Sequence, residues 1–134
     1  MTQKAGGVSA ITTEILRNAF VSIAEDMNAA LIRSAYSPLI YEGKDCAVAL
    51  LDQEGDVLGQ SLGVPLFLGN LTLCVQSTAR LHGWDFFQDG DVIFLNDSYI
   101  AGTHLNDVTV IQPIFWRGQR IGFRLPRPLA GRWR

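Results

Sequence analysis

Apolar residues recur at three- and four-residue spacing early in the chain: Ile15, Leu16, Ala19, Phe20, Ile23, Ala24, Met27, Ala30 and Leu31. A stripe of that period predicts an amphipathic helix over residues 12–36, with its apolar face in the core. Thr12 or Thr13 is placed to cap the first turn, where Glu14 favours the helix dipole. Ser37-Pro38 ends the helix, because the residue before a proline avoids the α region.

After the helix the period changes. "CAVALLDQEGDVLGQS" reads as a β-hairpin, with Gly55 free to take the positive φ its turn requires. "GVPLFLGN" is punctuated by Gly63, Pro65 and Gly69 and predicts a loop. "NLTLCVQSTARLHG" predicts a second helix, capped by Asn70 and stopped by Gly83, with His82 in the last turn. Asp89-Gly90 turns into a buried run from Val92 to Leu95. "VTVIQPIFW" and "QRIGF" then flank a hairpin turn at Arg117-Gly118. Two helices and about five strands make an α+β fold: a long N-terminal helix, β-hairpins and a second helix packed on a mixed sheet.

Composition narrows the class. The chain has 134 residues, 48% hydrophobic and 18% charged, which suits one globular domain with a real core. No apolar run reaches the length of a membrane span, and "MTQKAGGVSAITTE" lacks a signal-peptide core, so a cytoplasmic protein with no membrane partner is expected. Cys46 and Cys74 have neither CxxC spacing nor a secretory context and are expected as small buried hydrophobes.

The net charge of −2 hides an asymmetry. Residues 1–116 hold all 13 acidic residues against five basic ones, a balance of −8, while 117–134 hold six arginines and no acid. "RLPRPLAGRWR" shows no helical period and two prolines, so residues 124–134 are expected as an irregular basic tail. The acidic body argues against nucleic acid as a partner.

The candidate chemistry lies in "NDSYIAGTHLND", between the fourth apolar run and the last hairpin. His104 and Asp107 stand three apart. On a strand they would point to opposite faces, whereas in a turn, which Gly102 and Asn106 favour, they converge. Asp97 opens the same loop. One imidazole and two carboxylates suit Mn²⁺, Fe²⁺ or Zn²⁺. Asx-turn and capping roles for the two aspartates remain the alternative. Phosphate-binding glycine loops, GxSxG and HExxH are absent from the sequence.

Residues 11–60 followed by "NDSYIAGTHLNDVTVIQPIFWRGQRIGF" resemble the N-terminal part of the hydantoinase B/oxoprolinase family, which is related to acetone- and acetophenone-type carboxylases. The resemblance runs from about Ile11 to about Phe123, and "ND-Y-GTHL-D" is its most specific part. The family's usual form is Asn-Asp-Pro-Tyr, and Ser98 stands here in place of the proline. Its His-Leu-Gly before the second helix corresponds to Phe67-Leu68-Gly69, so that histidine is missing. Family members are several times longer and continue with a histidine-rich segment where this chain has "RLPRPLAGRWR". Residues 1–123 are therefore expected to be the N-terminal part of a hydantoinase B-like domain, with 124–134 out of family register. A truncated or frameshifted product is the simplest expectation, and a deliberate basic tail the next.

The resemblance implies ATP-dependent opening of cyclic amides such as hydantoins and 5-oxoproline, or carboxylation of ketones. A hydantoinase A-like ATPase-type subunit would use the ATP and phosphorylate the substrate, and the B-type subunit would complete the reaction. A divalent metal, Mn or Zn, is expected at His104 and Asp107, with Asp97 the weaker third ligand. This chain alone is expected to be inactive. An inactive remnant or an interaction module is the alternative.

Overall fold

A computed structural model describes residues 8–61, 65–101 and 108–128, with the side chains of 65–68 left aside. Helix α1 spans Ala10–Ser34 and begins at Ser9, whose Oγ accepts from the Thr12 amide at 3.1 Å. The cap therefore lies three residues earlier than expected at Thr12. Thr12 and Thr13 instead bond back to Ser9, through the hydroxyl contact at 2.9 Å and Thr13 Oγ1 to the Ser9 carbonyl at 3.1 Å. Pro38 does stop the helix, and it opens the single turn α2, Pro38–Tyr41.

Strands β1, Cys46–Leu51, and β2, Val57–Gln60, form the expected hairpin. Its turn is built by Asp52, whose Oδ1 accepts from the amides of Glu54 at 3.0 Å and Asp56 at 2.8 Å. Gly55 takes φ +85° there. Helix α3 then runs over Pro65–His82. It starts five residues before Asn70, so residues 65–69, expected as loop, are helical. Proline at a first helical position lacks only an amide that would go unpaired anyway, which is why Pro65 opens the helix. Gly83, at φ +86°, closes it by donating to the Ala79 carbonyl at 2.8 Å.

A 3₁₀ turn at Trp84–Phe86 leads to β3, Ile93–Leu95, then the short helix α4, Ser98–Ala101. Strands β4, Thr109–Trp116, and β5, Gln119–Pro128, close the fold. Arg117 and Gly118 both have positive φ in the turn between them, the geometry of a tight two-residue hairpin. β5 continues through Arg124 to Pro128, paired with β1 from Leu51↔Phe123 to Cys46↔Pro128. The first residues of the expected irregular tail are thus a central strand, and Arg127 is buried within it. Residues 129–134 lie outside the described residues.

The five strands lie in the order β2-β1-β5-β4-β3, and every neighbouring pair is antiparallel. The sheet is therefore not mixed. α3 carries the chain from β2 to β3, which run the same way, but these two are the opposite edges of the sheet. Hairpin reversals separate them, so no two neighbours are parallel.

β1 is buried at all six positions because it is covered on both faces. Ala47, Ala49 and Leu51 join Leu71, Cys74, Val75 and Ala79 of α3 in one core with Phe87, Ile111, Phe123 and Leu125. The alternate residues face α1, where Cys46 Sγ donates to Asn28 Oδ1 at 3.3 Å. Both cysteines are free and buried, as expected. At the far end of the core Arg120 stacks on Phe123, Trp84 and Phe87 at 5.2, 5.3 and 5.7 Å. Its Nη1 donates to the Trp84 carbonyl at 2.6 Å.

The apolar stripe of α1 departs from expectation. Ala24 and Asn28 are its buried residues, Phe20 is half-buried, and Ile15, Leu16 and Ile23 are 63, 46 and 46% exposed. Among the described residues the helix lies against the sheet only from about Phe20 onward.

Candidate functional site

The connection from β3 to β4 carries the residues singled out in the sequence. Its stems are neighbours in the sheet, with Leu95 paired to Thr109. β3 delivers Asp97 to the start of the connection, at an exposed position. Its Oδ1 accepts from the Tyr99 amide at 2.8 Å, and its carbonyl accepts from the amides of Ile100 and Ala101, both at 3.1 Å. Asp97 therefore caps α4, as an Asx-turn residue does. That role uses one carboxylate oxygen.

The base of the connection is tied to α3 by Cys74. Its thiol lies 3.8 Å from the Ala101 carbonyl and 3.6 Å from Thr109 Oγ1, so one side chain touches the end of α4 and the start of β4. No sequence signal beyond an apolar setting pointed to Cys74 in this place. His104 and Asp107 lie outside the described residues. Among the described residues no three of His, Cys, Asp and Glu come together as a metal site.

Cys46, on the other face of β1, has its thiol pKa pushed up by burial and by the charge of Asp45. It is a protonated packing group and no nucleophile. His82, exposed in the last turn of α3, stacks on Phe86 at 4.7 Å.

An open cleft of about 350 Å³, at residues no sequence motif singled out, is lined by Glu54, Gln76, Ala79, Arg80 and Trp84. Among the described residues it shares no lining residue with the β3–β4 connection. No described helix is long and apolar enough to cross a membrane.

Known proteins share this fold. Against solved structures the chain superposes on nucleotide-free acetone carboxylase with a TM-score of 0.77 and 25% identity, over 87% of this chain and 16% of that one. On the ATP-dependent caprolactamase from Pseudomonas jessenii the TM-score is 0.74, at 23% identity over 93% of this chain and 21% of that one. In sequence it is 38% identical to an uncharacterized protein of Methanocaldococcus jannaschii, over 84% of this chain and 20% of the relative. It is 34% identical to 5-oxoprolinase of Saccharomyces cerevisiae, over 81% of this chain and 8% of the relative. Caprolactamase subunit beta of Pseudomonas jessenii is 28% identical, over 85% of this chain and 19% of the relative. The chain thus spans a fifth or less of the length of these curated relatives. The Hydantoinase B/oxoprolinase family model matches residues 9–127, through nearly the whole of β5, and the chain belongs to that family.

Proposed function

We propose that this chain is a segment of a cytoplasmic, ATP-dependent enzyme that opens cyclic amides. The observation that carries the reading is the pair of relatives named for lactams, 5-oxoprolinase and caprolactamase subunit beta. Amide resonance makes a lactam carbonyl a poor electrophile. Transfer of a phosphoryl group to its oxygen removes that resonance, and this is the step for which ATP is used. A hydantoinase A-like ATPase-type subunit would supply it, in keeping with the word "subunit" in the caprolactamase name.

This chain's share would be the β3–β4 connection. His104 and Asp107, with Asp97 as a weaker third, form a donor set suited to Mn²⁺ or Zn²⁺. Asp97 fits such a role through the carboxylate oxygen that does not cap α4. A bound ion would act there as a Lewis acid toward the activated carbonyl or toward water. His104 ligates only as neutral imidazole, so the site is expected to weaken as pH falls. The chain by itself, which covers a fifth or less of its relatives' length, does not turn over substrate.

The superposition on acetone carboxylase favours a second reading, in which the activated carbonyl is that of a ketone and the acceptor step forms a carbon–carbon bond. One chimera separates the two. Residues 9–127 replace the matching segment of caprolactamase subunit beta, assayed with its partner subunit, ATP and either a lactam or acetone with bicarbonate. Lactam opening that disappears with His104→Ala is expected. Acetone carboxylation without lactam opening would favour the second reading, and turnover by the isolated 134-residue chain would overturn the claim of inactivity.

A further inference from the structure

The cleft beside α3 has a lining that the proposed chemistry does not use. Three elements converge on it: the β1–β2 turn with Glu54, α3 with Gln76, Ala79 and Arg80, and the 3₁₀ turn with Trp84. Each wall is held in place. The Asp52 carboxylate accepts from the Glu54 amide at 3.0 Å, and Gln76 Nε2 donates to the Glu54 carbonyl at 3.4 Å, which ties the turn to the helix. The turn lies so close to α3 that a Cβ on Gly55 would meet Val75 Cγ1 and Gln76 Cγ, both at 3.3 Å. Arg120 fixes Trp84 by donating to its carbonyl at 2.6 Å and stacking on its ring at 5.3 Å.

Two opposite charges border the same space. The Arg80 guanidinium and the Glu54 carboxylate form no salt bridge with each other, and among the described residues neither charged group has another partner. Ala79 and Trp84 supply the apolar part of the lining. A cation and an anion beside an apolar wall suit a ligand that carries one carboxylate and one ammonium joined by methylenes. A phosphate ester or a dicarboxylate would satisfy Arg80 but set Glu54 against a second negative charge.

We propose that this cleft binds a zwitterionic amino acid, with its carboxylate on Arg80, its ammonium on Glu54 and its chain along Ala79 and Trp84. The source of such a ligand rests on the lactam reading above. Water added across the ring C–N bond of a lactam puts a carboxylate on the former carbonyl carbon and leaves an amine on the former ring nitrogen. Both groups are charged at neutral pH. The ring-opened product thus carries the two charges that the cleft leaves without partners, at a place apart from the β3–β4 connection.

The test titrates the 134-residue chain with 6-aminohexanoate, the ring-opened form of caprolactam, and reads binding by ligand-observed NMR and tryptophan fluorescence. A dissociation constant of roughly millimolar size is expected. Hexanoate and hexylamine, each lacking one charge, should bind about fivefold more weakly, as befits the loss of one exposed charge pair. Arg80→Gln should erase the preference over hexylamine, and Glu54→Gln the preference over hexanoate. Both side chains are exposed, so the melting midpoints of these variants should move by no more than about 2 °C. Equal binding of the three compounds overturns the proposal, as do preferences that survive both substitutions or the absence of binding. The caprolactamase chimera keeps the two readings apart. Lactam opening by the chimera, beside no 6-aminohexanoate binding by the chain, refutes this site alone. Binding with the expected preferences, beside a chimera that opens no lactam, supports the site and counts against the reaction.

Discussion

Gly59 and Gly69 predict opposite signs for the same substitution. Gly59 sits in β2 opposite Leu50, where α1 crosses the strand. A Cβ at Gly59 would lie 2.6 Å from the Phe20 carbonyl carbon, 2.7 Å from its oxygen and 2.8 Å from its Cβ. Non-bonded carbon atoms prefer separations of about 3.5–4.0 Å, so the helix would have to shift by nearly 1 Å. Two of the three obstructing atoms are backbone, and no rotamer change relieves them. Such a shift loosens Ala24 and Asn28, the two buried residues of α1. Overpacking of this type costs about 1–3 kcal/mol, and the lower chain entropy of alanine offsets roughly 0.5–1 kcal/mol. Gly59→Ala should therefore destabilise by about 1–2 kcal/mol. Gly69 lies inside α3, and a Cβ there meets nothing within 4 Å among the described residues. Gly69→Ala should stabilise by about 0.5–1 kcal/mol through helix propensity. For a chain of this size each kcal/mol moves the melting midpoint by roughly 3–5 °C. Far-ultraviolet circular dichroism melts of the two variants should bracket wild type. A Gly59→Ala variant as stable as wild type would refute the close crossing of α1 over β2.

Phe123→Ala, which removes the partner of Phe87 at 4.9 Å and of Arg120, should cost about 3–5 kcal/mol in urea titrations. Ile23→Ala should cost under about 1 kcal/mol, because the side chain is 46% exposed. Cys46 predicts a pH dependence. Burial, with Asp45 adding to it, raises its pKa in the folded state above the unfolded one, so the native state holds a proton that the unfolded state releases. Stability present below the ordinary thiol range should fall as pH rises through it, and Cys46→Ala should flatten that fall in urea midpoints measured from neutral pH to about pH 10. Calorimetric titration of Mn²⁺ or Zn²⁺ should show weak binding that fails below the imidazole pKa of about 6.5. His104→Ala should abolish it, and equal binding by the two proteins would remove His104 from the site.

Local features were legible because local chemistry dictates them. The Asp52–Asp56 turn needs an aspartate to accept two amides and a glycine at positive φ, and both are written in five residues. The Arg117-Gly118 turn, the Gly83 stop and the Pro38 break are of the same kind. The "ND-Y-GTHL-D" signature identified the family without any reference to space, and the family match over residues 9–127 agrees with it. The capping role of Asp97 was open to the same reading, since an Asx-turn is made within three residues.

What depends on distant neighbours came from the tertiary structure. A helical period shows that α1 has an apolar side, but only the position of the sheet decides which residues of that side are covered. Ile23 and Ile15 were indistinguishable from core residues for that reason. Residues 124–128 looked irregular because they show no helical period and proline is a poor strand former. β1 supplies their partner from some eighty residues away, and long-range pairing overrides propensity. The sheet direction was decided likewise, by α3 placing the parallel strands β2 and β3 at opposite edges. Periodicity is a property of one segment, whereas burial and pairing are properties of two, and that difference separates what the sequence determined from what the fold decided.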